Sequence, residues 1–344
     1  MGNDNEYPLV SVIILNYNGL RFLKECLTSV LKTNYPSFEI VFIDNASQDG
    51  SLTFVEDFFG SNSKITIQKN EENFGFAEGN NIGAKSANGK YLVFLNNDTI
   101  VDVNWLNELV RTMNSDSSVG AAQSLILSMD GLIVRLGGRS DYLGIDCLST
   151  YHIKGTSSRE HELKRIVEEN KGKEIFYAWG TALIIRKELF DELGGFDPKF
   201  FLYGEETDLC WRIRLRGYRI FLVPSSLVFH EGEGTSRREC ISQIRFFQSR
   251  NHIATLIKDY NFPNLLKYLP LFLSFLFLHA CFMLAKGETN IIKSYVRAII
   301  WNLTNFNYLY KKRLEVQRLI RRVSDSEIKK YMDRPQVSSK LLGA

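Results

Sequence analysis

The stretch Leu92-Val93-Phe94-Leu95-Asn96-Asn97-Asp98-Thr99 runs four apolar residues straight into two amides and a carboxylate. A buried strand gains no stability by ending that way. Asp98 is a hard oxygen ligand, and a divalent cation carried on a nucleotide diphosphate needs only one or two protein carboxylates. The structural alternative is that Asp98-Thr99 caps a following helix. "GEETDLCWR" sets Glu205, Glu206 and Asp208 within four residues. Acids so crowded repel one another unless a cation or an acceptor site uses them, although a helix N-terminus also stabilises them. A carboxylate beside a metal site is also suited to remove a proton from an attacking hydroxyl. Asp44, in "IDNASQDGS", follows an apolar run. It suits hydrogen bonds to a base or ribose, or simply to its own turn. His230 follows "LVF" and precedes "EGEGTS", a glycine- and hydroxyl-rich turn fit for phosphate oxygens. Beyond it, Arg237, Arg238, Arg245 and Arg250 are either partners for a pyrophosphate or surface charge.

These residues need elements to hold them. Apolar runs at 10–15, 38–44, 64–70 and 90–95 read as strands, and helical spacing covers 20–31, 51–59 and 76–87. Strands apolar throughout and alternating with helices predict an α/β fold with a mostly parallel sheet covered on both faces. Three polar clusters, "NYNG", "DNASQDGS" and "NNDT", follow such strands, at the edge where open α/β sheets bind ligands. Residues 120–173 are less regular and read as an exposed loop region with a charged helical stretch. From 175 the pattern sharpens: "TALIIR" is a strand, "KELFDEL" a helix stopped by Gly194-Gly195, 206–216 a helix, and "YRIFLVPSSLVFH" one or two strands.

Composition limits the partners. With 344 residues, 44% hydrophobic and 24% charged, the chain has the material for a large globular core. A net charge of +3 is too mild for a nucleic-acid binder. Five scattered cysteines with no CxxC pair exclude a disulfide framework and suit a reducing, cytosolic compartment. The N-terminus reads as neither a signal peptide nor a myristoylation site. Residues 268–285 carry no Asp, Glu, Lys or Arg, which is the lower edge of transmembrane length. A basic run follows: Lys286, Lys293, Arg297, Lys311, Lys312, Arg313, Arg318, Arg321 and Arg322. Both flanks of a single span would belong in the cytoplasm. A re-entrant hairpin with 291–310, or helices lying in the interface, removes that conflict, the basic run facing anionic headgroups. A buried core helix, or a soluble helix pair that dimerises, is the alternative.

In combination, "VSVIILNYNG", "FIDNASQDGS", "NFGFAEGNNIGA", "YLVFLNNDT", "GGFDPKFFLYGEETDLCWR", "HEGEGTS" and the "SRN" at 249–251 resemble the family 2 glycosyltransferases of GT-A fold, across about 10–259. The similarity points further to the rhamnosyltransferase-like enzymes of bacterial surface polysaccharide assembly. The resemblance implies a GT-A domain over 1–258 and a helical, membrane-associating region over 259–344. It places Asp44, Asn45 and the strand end Asn16-Tyr17-Asn18 at the nucleotide, with Asn73, Gly75, Asn80, Asn81, Asn96, Asn97 and Arg250 around the nucleotide sugar. Asp98 matches the final acid of a DXD-like motif, holding Mg²⁺ or Mn²⁺ with His230. The amides Asn96 and Asn97 stand where the family varies. Glu206 occupies the position of the base, where the family usually has Asp, with Glu205 and Asp208 as neighbouring acids. Trp179, Gly180 and Tyr203, with Phe200 and Phe201, would form the acceptor wall. The implied activity is inverting transfer from a dTDP- or UDP-linked sugar, possible donors including L-rhamnose, a UDP-hexose or a UDP-HexNAc. The acceptor would be lipid-linked or a polysaccharide, at the cytoplasmic face of a bacterial inner membrane. A non-catalytic nucleotide-sugar-binding scaffold is the rival reading.

Overall fold

A computed structural model of the chain describes residues 7–153, 159–232 and 241–335. The first half alternates β1 (Val10–Asn16), α1 (Leu20–Leu31), β2 (Phe38–Asp44), α2 (Ser51–Phe59), β3 (Ile65–Lys69), α3 (Gly75–Ser86), β4 (Tyr91–Asn96), the short β5 (Thr99–Val101) and α4 (Trp105–Ser115). There follow β6 (Val119–Ser128), β7 (Ile133–Ser140), β8 (Asp146–His152), α5 (Arg159–Glu169), β9 (Ala182–Arg186), α6 (Lys187–Glu192), α7 (Glu205–Leu215) and β10 (Arg219–His230). Helices α8 (Ile241–Asp259), α9 (Phe262–Ala285), α10 (Thr289–Thr304), α11 (Phe306–Glu315) and α12 (Asp325–Lys329) complete it.

The ten strands form one sheet whose main path is β3-β2-β1-β4-β9-β6-β10-β5, with β7 and β8 extending from β6. Strands β3, β2, β1 and β4 are parallel, β6 pairs in parallel with β10, and β9 runs antiparallel between β4 and β6. The apolar runs are continuous because both faces are covered. Ile13, Val41, Ile43, Leu92 and Phe94 join the core on one side, and Val12, Ile14, Ile40, Phe42, Val93 and Leu95 the core on the other. Each such side chain contributes about 1.5–3 kcal/mol on burial. The register then aligns the strand ends: Asn16 pairs with Asp44, and Leu15 with Asn96.

Residues 120–173 depart from the loop expectation. They carry β6, β7, β8 and α5, and β6 is buried at all but its last position. Their irregular look comes from polar residues satisfied across the sheet. The buried Ser124 hydroxyl shares a 2.8 Å hydrogen bond with Ser226, and Gln123 Oε1 accepts from Trp179 N at 2.8 Å. Strand β10 is a single strand with a register shift between Val223 and Leu227.

Helix α9 is capped by Asn261, whose side chain accepts from Asn264 N, with proline in the first turn. It is the one helix among the described residues long and apolar enough to cross a membrane. One stripe, Tyr268, Phe272, Leu276, His279 and Met283, is buried. Tyr268, Phe272 and Leu276 share the core with Trp211, Leu256 and Tyr260, so the apolar core runs across position 258. Only 28% of the helix's most apolar window is buried. Leu266, Leu271, Phe277, Leu278 and Leu284 face outward beside Val296, Ile300 and Leu303 of α10. This excludes an enclosed core helix. Of the basic run, Lys286, Lys293, Arg297, Lys311, Arg318 and Arg322 are exposed. Arg313 and Arg321 instead turn inward, Arg313 to the carbonyl of Tyr260 at 2.6 Å and Arg321 to Asp325 at 2.6 Å.

Candidate active site

The strand ends open into a cavity of about 580 Å³, a size that holds a cofactor-scale ligand. One wall is made of amides. Asn97 Nδ2 donates to Asn16 Oδ1 at 2.6 Å, and Asn16 Nδ2 donates to Asp44 and Ser47. Asn45 Nδ2 donates to Asn73 Oδ1 at 2.8 Å, and Asn73 Oδ1 also accepts from Gly75 N at 2.9 Å. Chains of this kind fix the orientation of Asn16 and Asn45, whose amide nitrogens each donate to two acceptors. Gly19 must be glycine, because a Cβ there would meet Asn97 Nδ2 at 2.1 Å.

Of the residues singled out in the sequence, Tyr17, Asn18, Asn45, Asn73, Gly75, Asn96, Asn97, Asp98, Gly180, Tyr203, Glu205, Glu206 and His230 line this cavity. Others do not. Asp44 is 1% exposed and accepts from Ser47 N and Asn16, which supports the wall from behind. Asn80 donates back to Phe76 O, and Asn81 spans Glu78 and Phe196 O; both are bound within the scaffold. Trp179 packs against the core, and Phe200 is part of it. Arg250 spends its guanidinium on the carbonyls of Lys199 and Phe200, so it is not available to the nucleotide sugar. Asp208 is fully buried, held by Arg212 at 2.8 Å and Lys258 at 2.6 Å, so it is no alternative base. Arg237, Arg238 and the turn at 233–236 lie outside the described residues.

Asp98 does not begin a helix, because Thr99 opens β5. Its Oδ1 lies 3.1 Å from His230 Nε2, and Asn96 Nδ2 lies 3.4 Å from the same nitrogen. The strand β10 brings His230 there by pairing with Thr99. A hard oxygen and an imidazole nitrogen, side by side at a cavity wall, suit Mg²⁺ or Mn²⁺ completed by phosphate oxygens. Among the described residues the buried His230 Nδ1 finds no hydrogen-bond partner. Among the described residues no group of three or more His, Cys, Asp or Glu gathers as a metal cage, so any ion must bring ligands with its substrate.

Across from this pair, Glu205 and Glu206 open α7 behind Gly204, whose φ is +84°. One carboxylate oxygen of each is buried with no hydrogen-bond partner among the described residues. Burial pushes the Glu206 carboxyl up to about 7; repulsion from Asp146 adds to this, while hydrogen bonds from Gly180 N–H and from Glu205 oppose it. Burial also holds Glu205 well above its ordinary value, with Glu206 repelling it further. Two carboxyls so close titrate as a unit, and one held high by burial is suited to taking a proton.

Two groups escaped the sequence reading. Gln243 of α8 lines the cavity, and nothing local marks it. Arg135 of β7 packs 5.1 Å from the Trp179 ring and is attracted by Asp98; it lies in the segment that read as loop.

Comparison with known proteins follows the same lines. The sequence profile described as Glycosyl transferase family 2 matches residues 11–194. The O-antigen biosynthesis protein RfbC of Myxococcus xanthus is 25% identical over 70% of this chain, which spans 19% of that protein's length. Among solved structures, GalNAc-T7 with UDP, GalNAc and Mn²⁺ superposes with a TM-score of 0.59 at 20% identity, over 87% of this chain and 58% of that one. The mannosyltransferase PcManGT of Pyrobaculum calidifontis, in complex with GDP-Man and Mn²⁺, gives 0.53 at 21% identity over 92% and 89%. At these identities the structural likeness shows the fold.

Proposed function

The chain belongs to glycosyl transferase family 2, and from that premise we propose that it transfers a sugar from a nucleotide-diphosphate donor to a hydroxyl of a growing glycan, with inversion. One observation carries the reading: the Asp98–His230 pair and the Glu205–Glu206 pair line the same cavity, above an amide-lined wall at the ends of parallel strands. Tyr17, Asn18 and Asn45 take the nucleotide, with Asp44 bracing them. Asp98 and His230 hold Mg²⁺ or Mn²⁺, which when bound offsets charge on the leaving diphosphate. Glu206 accepts the proton of the acceptor hydroxyl. The freed oxygen attacks the anomeric carbon, and the bond to the diphosphate breaks with its electron pair leaving on the nucleotide. Phe201 and Tyr203 offer rings to the acceptor's apolar sugar face.

The test is a melting screen with dTDP-rhamnose, UDP-hexoses, UDP-HexNAcs and GDP-mannose, each with Mn²⁺. A donor at 100 times its Kd stabilises the fold by about 2.7 kcal/mol, and Asp98→Asn is expected to remove the metal-dependent share. If no nucleotide sugar raises Tm with Mn²⁺, nor in a repeat with Mg²⁺, the reading is wrong.

We read 259–344 as the part that seats the 1–258 domain on the cytoplasmic face of a bacterial membrane, near a lipid-linked acceptor. The half-open apolar face of α9 and α10, flanked by exposed Lys286, Lys293 and Arg297, supports helices lying in the interface. A span would strip α9 of its buried stripe. The full chain should sediment with phosphatidylglycerol vesicles, and Phe277→Ser with Leu278→Ser should weaken this several-fold. Wild-type protein left in the supernatant at low salt would refute the seat.

A further inference from the structure

The backbone of 199–204 is held in a conformation it would not keep alone. Phe201 has φ +61° and ψ −62°, and Leu202 N donates to Phe200 O at 2.6 Å. That is the rare γ-turn, a strained form. Tyr203 follows at φ +68° and Gly204 at +84°, so two non-glycine residues out of three lie in the left-handed half of φ space, at a cost of order 1–3 kcal/mol each. The turn is central to the cavity: Phe201, Leu202 and Tyr203 line it, and Glu205 and Glu206 come next. Its carbonyl at Phe201 also accepts from Phe76 N at 2.6 Å, fixing the start of α3.

Two adjacent side chains of α8 supply the restraint. Asn251 Nδ2 donates to Phe200 O, Leu202 O and Tyr203 O at 3.0, 3.1 and 2.6 Å. Arg250 donates to Lys199 O at 2.9 Å and to Phe200 O, and its Nε bonds Asn251 Oδ1 at 2.8 Å, fixing the amide's orientation. Both residues are buried. From the far side, α10 braces the pair: Asn302 Nδ2 donates to Arg250 O at 3.0 Å, and the Trp301 ring lies 4.7 Å from the guanidinium. Backbone carbonyls of a buried loop need partners, but one amide spread over three of them goes beyond satisfaction. It fixes a shape.

We propose that Arg250 and Asn251 are positioning residues for sugar transfer: they lock the 199–203 turn and so set where its aromatic rings and the Glu205–Glu206 pair stand relative to the reacting atoms. This rests on the transferase reading above. Neither residue lines the cavity: Asn251 acts through the turn, and Arg250 through the turn and by the attraction of its charge for Glu205.

The experiment compares Asn251→Ala, Arg250→Lys and Arg250→Met with wild type and Glu206→Gln, all in the full chain. Hydrogen exchange by mass spectrometry should speed up at 199–206 and at the first turn of α3 in Asn251→Ala, leaving β1 and β2 unchanged. With the donor found by the melting screen, kcat should fall between about 10- and 100-fold, the loss expected when reacting groups are misplaced by an ångström, while the donor KM stays within twofold. Arg250→Lys, which keeps one donor and the charge, should retain more kcat than Arg250→Met. Unchanged exchange at 199–206, or faster exchange with wild-type kcat, overturns the proposal. Glu206→Gln at wild-type turnover would instead overturn the transferase assignment of the base, whatever Asn251→Ala does.

Discussion

Glu206→Gln is expected to lower kcat by roughly 10²- to 10⁴-fold, the usual contribution of a positioned base, while nucleotide-sugar affinity stays in place. Glutamine keeps the side chain's shape and removes only the capacity to take a proton. The carboxyl also predicts its own pH signature. Burial pushes it up to about 7, so kcat of the wild type should fall on an acid limb near pH 7 rather than near the ordinary glutamate value of about 4.3. The stability effect has a definite sign. A carboxyl raised in the folded state binds a proton there that the unfolded chain has released. Its contribution is full below about pH 4.3 and is lost as pH rises through about 7. Glu206→Gln should therefore gain stability against the wild type between pH 5 and 8, measured by urea midpoints. A variant with more than a tenth of wild-type kcat would place the base elsewhere.

Lys258→Met should produce the largest loss of stability, about 3–5 kcal/mol, the cost of leaving buried charge unpaired. Lys258 bridges Asp197 and Asp208 at 2.6 Å each, and Arg212 closes the other side of Asp208. Asp259 completes the cluster; burial and the repulsion of Asp208 hold it well above the usual carboxylate range. Lys258 and Arg212 thus face the buried Asp197 and Asp208. Against its burial, Lys258 keeps the Asp197 carboxyl down to about 2. Removing the ammonium leaves two carboxylates with one guanidinium. The double variant Lys258→Met with Asp197→Asn should recover part of the loss, because the amide still accepts from Tyr308, now 2.6 Å away. A urea midpoint for Lys258→Met equivalent to less than 1 kcal/mol would show that the cluster is not a determinant of stability.

The contrast between Asp98 and Asp208 explains what a sequence discloses. Strands β1, β2 and β4 were readable because burial on both faces writes an unbroken apolar run. Their polar ends were readable because nothing in the core requires them. Asp98 could therefore be placed at a ligand edge from its context. Asp208 carries the same charge as Asp98, and Arg250 the opposite one; Arg212 stands four positions from Asp208, but Lys258 and the carbonyls of 199 and 200, which complete their burial, lie some fifty positions away. No local pattern tells a charge aimed at substrate from one consumed by the scaffold. Strand β6 failed differently: Gln123 and Ser124 interrupt its periodicity, and the partners that make them acceptable, Trp179 and Ser226, are equally remote.

The pairing of β5 with β10 also has a consequence for how the molecule is made. Asn96 and His230 meet across 134 positions, and among the described residues β5 pairs only with β10. The amide wall needs only the first hundred residues, whereas the His230 imidazole arrives beside Asp98 when β10 docks. Contacts of such high sequence separation close late in folding. A nascent or truncated chain ending before residue 219 would thus carry the amide wall without His230 beside Asp98.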